Sequence, residues 1–395
     1  MTTRRQPSHR VAERVDSLER STIRHMFDQA NQSDRDDLIH LEIGEPDFDT
    51  PAHVVDRAAS AARDGATHYT SNAGLVDLRE AVADTITAEG TRLYDPASEI
   101  VITVGAMESL HLALQAITER DNEVLIPSPA WPNYHTQSVL AGGQPVEVPL
   151  DTETGFQLDV DAVINAISDR TAAILLCSPS NPTGQVLDAN DIRTISEVAA
   201  KHDAYVIADE VYNGLVYDEP KERIASQAVD QRYVLTVGSV SKKYAMTGWR
   251  VGWLAGPSDV INAVTKIHES TTACAPAPSQ HAALAAITGD QAPINEMKDE
   301  FHSRRDYVYN RIKGIDGISC PKPEGAFYAF VNVRSQTTDS VEFAERLLHN
   351  YGVVVAPGSG FGPGGEGFVR LSFAAGRSQL ETGLDRLERM VVNNS

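Results

Sequence analysis

The chain has 395 residues, 42% of them hydrophobic, which is enough to bury a sizeable core. This length suggests two domains, or one large domain with a smaller one appended. Acidic residues outnumber basic ones by 55 to 34, and the resulting net charge of -21 disfavours binding to nucleic acid or to anionic membranes. We therefore expect small-molecule partners, with neither nucleic acid nor membrane among them.

The amino terminus and the cysteines exclude further classes of protein. Residues 1–10 are polar and basic, and no stretch approaches the roughly 18 apolar residues of a membrane span. The three cysteines, Cys177, Cys274 and Cys320, are too scattered for a disulfide framework, and none forms a CxxC pair. We expect a cytoplasmic protein with reduced, mostly buried thiols and no bound metal.

The acidic residues are dispersed along the chain and are not gathered into a tail. Lysine is scarce relative to arginine, and carboxylates cluster in pairs such as Asp36 with Asp37 and Asp159 with Asp161. Such a surface repels itself unless salt screens the charges. We interpret it as a halophilic adaptation; the alternative is an ordinary acidic protein.

Helical and apolar patterns alternate regularly along most of the chain. A helical pattern over residues 21–30 comes first, and the later apolar, β-branched runs are separated mostly by helical segments such as 191–202. Short buried strands that alternate with helices predict βαβ units, and therefore an α/β fold with a mainly parallel sheet covered on both faces. The predicted strands are residues 100–104, 124–126, 172–176, 205–208, 234–237 and 251–255.

A second, smaller unit follows the α/β region. Helical patterns over residues 297–313 and 340–350 alternate with apolar runs at 327–331 and 353–356, which predicts an α+β arrangement. We expect the amino-terminal helix to pack with this unit. The predicted division is a large domain over residues 50–285 and a small domain formed by residues 1–49 and 286–395.

Polar residues that directly follow a strand of an α/β sheet are candidates for function, because ligands bind beyond the carboxyl ends of the strands. After the run 234–237 come Ser239, Ser241, Lys242, Lys243 and Arg250, which place hydroxyl and cationic groups in one short stretch. On this stretch alone, Lys242 could simply be a lysine in a salt bridge.

Two further strand ends carry polar clusters. Residues 178–184, which include Asn181, follow the run 172–176, and Asp209 and Tyr212 follow the run 205–208. Together with residues 41–48, 67–70 and 368–373, these motifs resemble in order and spacing the class I aminotransferases, which are fold-type I pyridoxal-phosphate enzymes. The resemblance covers nearly the whole chain. It implies a large domain on a mainly parallel, seven-stranded type of sheet, with helices on both faces and a smaller α+β domain.

The resemblance implies that pyridoxal 5'-phosphate is the cofactor and that Lys242 is its Schiff-base lysine. The cofactor's aldehyde needs an amine to hold it, and the same amine can later move a proton between the substrate Cα and the cofactor C4′. Lys243 is the rival amine. We prefer Lys242, because Arg250 then matches the family's phosphate-binding arginine.

Three residues match positions that act on the cofactor ring. Asp209 matches the carboxylate that keeps the pyridine nitrogen protonated, as an electron sink requires. Tyr212 and Asn181 match the two donors to the phenolic oxygen, which lower the pKa of the imine and make it a better electrophile. By itself, Asp209 could instead be a helix N-cap or an aspartate at a sheet edge.

A second group matches the phosphate site. Gly105, Ala106 and Met107 lie between a predicted strand and a helix, where backbone amides and the helix dipole favour an anion. Ser239 and Arg250 complete the predicted site.

Two aromatic residues also match family positions. Tyr69 resembles the tyrosine that reaches the phosphate from a neighbouring subunit, which implies a homodimer with shared active sites. Trp131 matches the aromatic residue that stacks on the pyridine ring. The alternative for Trp131 is packing in the core, but the prolines that flank it favour a loop.

Arg370 matches the arginine that binds the substrate's α-carboxylate, a planar group that a guanidinium can bind with two parallel hydrogen bonds. Gly44, through its amide, and Asn181 are the predicted supporting contacts. The alternative for Arg370 is a surface ion pair with Glu366.

These features predict a transaminase that moves an amino group from an L-amino acid to a 2-oxo acid such as 2-oxoglutarate. A lyase or synthase on the same fold, such as a C–S lyase or an aminocyclopropane carboxylate synthase, would share Lys242, Asp209 and Arg370 and is the main alternative. A non-catalytic regulator would need a DNA-binding segment, for which the short amino terminus leaves no room.

The identity of the amino donor depends on the residues that would face its side chain. Met107 and residues 271–276 offer no cation for a side-chain carboxylate, so strict aspartate specificity is doubtful. The chain most resembles archaeal-type aspartate and aromatic aminotransferases, which makes aspartate or an aromatic amino acid the expected donor. Arg24 could enter the site, although a solvated helix face is its other interpretation.

Overall fold

A computed structural model describes residues 11–16, 18, 20–219 and 222–393. The first ten residues of the predicted small-domain segment 1–49, and the last two of 286–395, lie outside this range. The helices are α1 (Glu13–Asp16), α2 (Thr22–Asn31), α3 (Ala52–Arg63), α4 (Val76–Ala88), α5 (Ala106–Ile117), α6 (Asn133–Leu140), α7 (Val160–Ala166), α8 (Ala189–Lys201), α9 (Ile224–Gln227), α10 (Ser258–Thr271), α11 (Ala277–Thr288), α12 (Ala292–Lys313), α13 (Ser340–Tyr351) and α14 (Arg377–Val392).

The strands alternate with these helices through most of the chain. They are β1 (Ile39–His40), β2 (Ile100–Thr103), β3 (Glu123–Ser128), β4 (Gln144–Pro149), β5 (Thr171–Cys177), β6 (Tyr205–Asp209), β7 (Val234–Ser239), β8 (Gly252–Ala255), β9 (Tyr328–Asn332), β10 (Val353–Val354), β11 (Ala356–Pro357) and β12 (Phe368–Ser372).

Among the described residues, seven strands form the central sheet in the order β2-β8-β7-β6-β5-β3-β4. All neighbours pair in parallel except β8, which is antiparallel to both β2 and β7. Apolar clusters cover the sheet, and β2, β3, β7 and β8 are buried along their whole length. The near-continuous apolar runs arise because both faces of the sheet are covered. The predicted α/β fold with a mainly parallel sheet is confirmed.

One edge strand of the central sheet was not predicted from the sequence. Strand β4 pairs in parallel with β3, and most of its residues are only partly buried or exposed. Its sequence contains glutamine, glutamate and two prolines, which belong at edges because a proline cannot donate to a neighbouring strand. The apolar run that identifies a central strand is therefore missing.

A second group of elements packs around a separate apolar core. Strands β11, β12 and β9 pair antiparallel in that order, and β1 pairs in parallel with β10. Met26 and Ala30 of α2 share one core cluster with Phe301 of α12, Phe343 of α13 and Leu384 of α14. The helix near the amino terminus thus packs with elements near the carboxyl terminus. The domain boundaries at residues 50 and 285 stay a prediction.

The carboxyl ends of the three central strands lie side by side. Cys177 at the end of β5 pairs with Asp209 at the end of β6, and Asp209 pairs with Val237 of β7, two residues before that strand ends at Ser239. Residues that follow these strands therefore share one edge of the sheet.

In the part of the chain that the structure describes, no helix has the length and apolar character needed to span a membrane.

Candidate active site

A cavity of about 710 Å³ opens at this edge of the sheet. Helix α2 and the segment around Gly44 form one wall, and the ends of β5, β6 and β7 form its floor. The sequence-predicted residues that line it are Gly44, Ala106, Met107, Trp131, Asn181, Asp209, Tyr212, Ser239, Lys242, Arg250 and Arg370.

Lys242 lies in the loop that follows β7, at the base of the cavity. Its Nζ donates a hydrogen bond to the carbonyl oxygen of Gly44 at 2.7 Å and lies 5.9 Å from the ring centre of Tyr212. Burial disfavours the charged ammonium and lowers the pKa of Lys242 to about 8. Roughly a tenth of this side chain is therefore a neutral amine, and thus a nucleophile, at pH 7, whereas less than about 0.1% of an ordinary lysine would be.

Lys243 points away from the cavity. Its Nζ lies 3.6 Å from Oε1 of Glu89, a residue that also pairs with the buried Arg223. The ammonium group of Lys243 therefore interacts with Glu89 on the opposite side of the loop. The two adjacent lysines have different environments, and only Lys242 lines the cavity.

Asp209 ends β6 and is only 2% exposed. The Tyr134 hydroxyl donates to its Oδ2 at 2.6 Å, and the amide of Val211 donates to its Oδ1 at 3.3 Å. Burial nevertheless raises the pKa of this carboxyl to about 6. A cation beside the carboxylate would favour its charged form, and the protonated nitrogen of a pyridine ring is a group of that kind.

Tyr212 and Asn181 are both buried beside Arg370. The Tyr212 hydroxyl lies 2.8 Å from the hydroxyl of Tyr328, and Asn181 Oδ1 accepts a hydrogen bond from Arg370 Nη1 at 2.9 Å. Burial raises the pKa of Tyr212, which keeps its phenol protonated and able to donate. The amide nitrogen of Asn181 is the donor that remains for a ligand.

Arg370 lies on β12 and is 4% exposed. Its Nη2 donates to the carbonyl oxygen of Glu42, and its guanidinium lies 4.4 Å from the ring centre of Tyr328. Its Nε is buried and has no hydrogen-bond partner within the described residues. The suggested ion pair with Glu366 does not form, since Glu366 accepts from the amides of Ser340 and Gly367. A buried, incompletely bonded guanidinium favours an anionic ligand.

A second group of donors lies at the amino terminus of α5. Gly105 has a φ of 77°, and a Cβ on it would lie 2.5 Å from Nη2 of Arg250. The helix then begins at Ala106, so its first amides face the cavity together with its positive dipole end. Ser239 Oγ lies 2.8 Å from Ser241 Oγ, which places two hydroxyls beside these groups.

The polar groups of the cavity fit pyridoxal phosphate. The α5 amides, Arg250 and the hydroxyls suit a dianionic phosphate, and the buried carboxylate of Asp209 suits a pyridinium. The Lys242 amine lies at the base of the same cavity and suits the aldehyde. No group of three or more histidine, cysteine or acidic side chains within the described residues is arranged to hold a metal ion.

Two predicted residues, Gly105 and Tyr69, are not among the residues that line the cavity. Gly105 directly precedes the lining residue Ala106. Tyr69 is 87% exposed and is not among the lining residues, although it was expected to act on a neighbouring subunit.

Among the lining residues that the sequence interpretation missed, Tyr134 and Tyr328 bond directly to predicted ones, Asp209 and Tyr212. The signal for Tyr134 was its position three residues after Trp131, which places both on one side of a helical turn; no signal identified Tyr328.

Comparison with known proteins agrees with this geometry. Residues 36–387 match the family model described as aminotransferase class I and II. The chain is 40% identical over 384 residues to an aspartate aminotransferase from Pyrococcus abyssi, with coverage of 96% of this chain and 98% of that protein. It is 38% identical over 384 residues to aromatic-amino-acid aminotransferase 2 from Thermococcus litoralis, with the same coverage of both.

The fold is also shared with solved structures. The aspartate aminotransferase from Thermus thermophilus with maleate superposes with a TM-score of 0.92 at 35% identity, covering 97% of this chain and 100% of that one. These matches do not favour the lyase or synthase alternative. The chain belongs to the class I and II aminotransferase family, whose members use pyridoxal phosphate, and it is a transaminase.

Proposed function

We propose that the enzyme transfers the amino group of aspartate or of an aromatic amino acid to a 2-oxo acid such as 2-oxoglutarate. The observation that carries the proposal is the buried guanidinium of Arg370, whose Nε lacks a partner and which lines the same cavity as the Lys242 amine. The names of relatives that are 40% and 38% identical, an aspartate and an aromatic-amino-acid aminotransferase, support this choice of donors.

When bound, pyridoxal phosphate supplies an aldehyde and an electron-withdrawing ring. Lys242 would hold the cofactor through its amine, and the free amine would carry the proton between the substrate Cα and the cofactor C4′. Its lowered pKa supports both tasks, because each needs an amine that gains and loses a proton near neutral pH.

The other polar side chains position and polarise the ring. Asp209 stabilises the proton on the pyridine nitrogen, and the Tyr134 hydroxyl holds the carboxylate in place. Tyr212 and Asn181 donate to the phenolic oxygen. The Trp131 ring packs edge-on against the Tyr134 ring, with centres 5.5 Å apart. Trp131 would cover one face of the cofactor's pyridine ring.

The phosphate and the substrate carboxylate use the two groups of donors. Gly105, Ala106, Met107, Ser239 and Arg250 bind the phosphate, since amides at a helix terminus and a guanidinium together neutralise a dianion. At the other end of the cavity, Arg370 binds the substrate α-carboxylate. Gly44 and Asn181 assist it there.

The proposed assembly is a homodimer in which Tyr69 completes the phosphate site of the partner subunit. The 87% exposure of this tyrosine supports the proposal, because it leaves the ring free to reach another chain, and tyrosine is enriched at protein interfaces. Sedimentation should give twice the chain's mass of 42.8 kDa. A monomer that retains full activity would refute the shared site.

The cytoplasmic location and the halophilic habitat stay predictions.

The donor proposal is tested by half-reactions without an acceptor. Adding aspartate or phenylalanine to the cofactor-loaded enzyme should remove the long-wavelength absorbance of the bound cofactor, and 2-oxoglutarate should restore it. Alanine serves as the comparison donor. Net release of ammonia, in place of an amino group that 2-oxoglutarate can then accept, would support the lyase alternative, and the absence of any half-reaction would refute the proposed donors.

A further inference from the structure

Helix α2 brings an arginine to the mouth of the cavity for which no task has yet been described. Of the described residues that line the cavity, four are cationic, namely Arg24, Lys242, Arg250 and Arg370. The last three have proposed roles at the aldehyde, the phosphate and the α-carboxylate. Arg24 remains, together with its neighbours Ile23 and Phe27, which also line the cavity.

Contacts of α2 place Arg24 on the side of the cavity that holds Arg370. Ile23 packs against the cluster that contains Phe361, and a Cβ on Gly360 would lie 3.4 Å from Ile23 Cγ1. The ring of Phe361 in turn lies 5.0 Å from the guanidinium of Arg370. The first turn of α2 thus packs on the same apolar cluster as the ring that contacts Arg370.

The guanidinium of Arg24 is held in place only weakly. It lies 4.7 Å from the ring centre of Phe27, and its Nε is 3.3 Å from Oδ1 of Asp28. The two charged side chains are 70% and 48% exposed, and exposed pairs four residues apart on a helix are weak. A ligand carboxylate can therefore replace Asp28 at little cost.

Resting on the function proposed above, we infer that Arg24 is a specificity-determining residue that binds the side-chain carboxylate of acidic substrates. Arg370 takes the α-carboxylate, and Arg24 supplies the second cation that Met107 and residues 271–276 do not. The ring of Phe27, which orients the guanidinium, also offers an apolar wall to an aromatic side chain. The pair Arg24 and Phe27 thereby serves both acidic and aromatic donors.

Single-turnover half-reactions of the cofactor-loaded enzyme test this inference, because they avoid 2-oxoglutarate, which is itself a dicarboxylate. Arg24→Met keeps the unbranched stem and removes the charge. It should lower the second-order rate constant for aspartate roughly 10- to 100-fold, the range expected for one lost charge-assisted contact, and leave that for phenylalanine within about 3-fold. Arg24→Lys should retain part of the preference for aspartate.

Arg20→Met is the matched control, since Arg20 is an exposed arginine just before α2 that does not line the cavity. It should change neither rate. An equal loss with both donors, an unchanged rate with aspartate, or an unaltered enzyme that reacts with phenylalanine but not with aspartate would each overturn the inference. If the unaltered enzyme reacts with neither donor, the proposed function itself fails.

Discussion

The amine of Lys242 combines a buried position with a single strong hydrogen-bond acceptor, the carbonyl oxygen of Gly44. Burial is the largest influence on its pKa, which falls to about 8, while Glu45 and Asp209 oppose the fall. The neighbouring Lys243 lies beside Glu89 instead. The sequence could not separate these two amines by their environments, because that difference arises only when the loop after β7 folds.

The lowered pKa of Lys242 predicts how fast the apoenzyme captures its cofactor. Only the neutral amine attacks the aldehyde, so below the pKa the capture rate should rise about tenfold per pH unit. It should level off above pH about 8, whereas a lysine with the ordinary pKa of 10.5 would level off near that pH. Stopped-flow absorbance measures the rate. Lys243→Met should keep the same profile, and a rate that still climbs steeply at high pH would show that burial does not tune this amine.

Arg370 predicts a loss that all amino donors share. Arg370→Lys keeps a positive charge but loses the paired hydrogen bonds to a carboxylate, and a shorter cation leaves Asn181 Oδ1 without its donor. We expect kcat/KM to fall roughly 100-fold with aspartate and with phenylalanine alike. Cofactor affinity should be unchanged, because the proposed phosphate site lies at the other end of the cavity from Arg370. A loss confined to aspartate would assign the α-carboxylate to another residue.

At the scale of elements, the junction between β2 and α5 forms the phosphate site. Two requirements coincide at Gly105, a φ of 77° and a close approach to Arg250. Either one alone makes a side chain unfavourable there. The helix that follows starts at Ala106 and needs an anion or water at its first amides.

Gly105→Ala should therefore weaken cofactor binding at least about tenfold, because the new methyl group displaces the Arg250 guanidinium. Gly142→Ala is a matched control, since Gly142 has a similar φ of 89° but no heavy atom within 4 Å of the added Cβ. Both variants should lose roughly 1–3 kcal/mol of unfolding free energy from backbone strain. Equal cofactor affinities of the two variants, measured by titration, would argue against the proposed phosphate site.

The sequence predicted the elements that carry the site better than it predicted the edges. The apolar runs of β5, β6 and β7 located the strand ends at Cys177, Asp209 and Ser239 to within two residues. Strand β4 lacks such a run because it lies at an edge, and no local pattern reveals that β8 runs antiparallel. Tyr328 was missed for a similar reason, because β9 reaches the site through long-range packing.

At the scale of the whole molecule, the net charge of -21 predicts salt-dependent stability. Repulsion between dispersed carboxylates acts over about 10 Å at an ionic strength of 0.1 M and is largely screened in molar salt. The thermal unfolding midpoint should therefore rise between about 0.1 M and about 2 M KCl. Sucrose at matched osmolality is the control for a general solute effect. Equal midpoints at low and high KCl would remove the argument for a halophilic adaptation.

The identity of the lysine that holds the cofactor is the most direct test of the proposed chemistry. Borohydride reduction of the loaded enzyme fixes the cofactor to its amine, and peptide mass spectrometry then locates it. We predict a modified Lys242 and an unmodified Lys243, with no covalent cofactor and no turnover in Lys242→Ala. A modified Lys243, or a Lys242→Ala variant that still transaminates, would contradict the site described above.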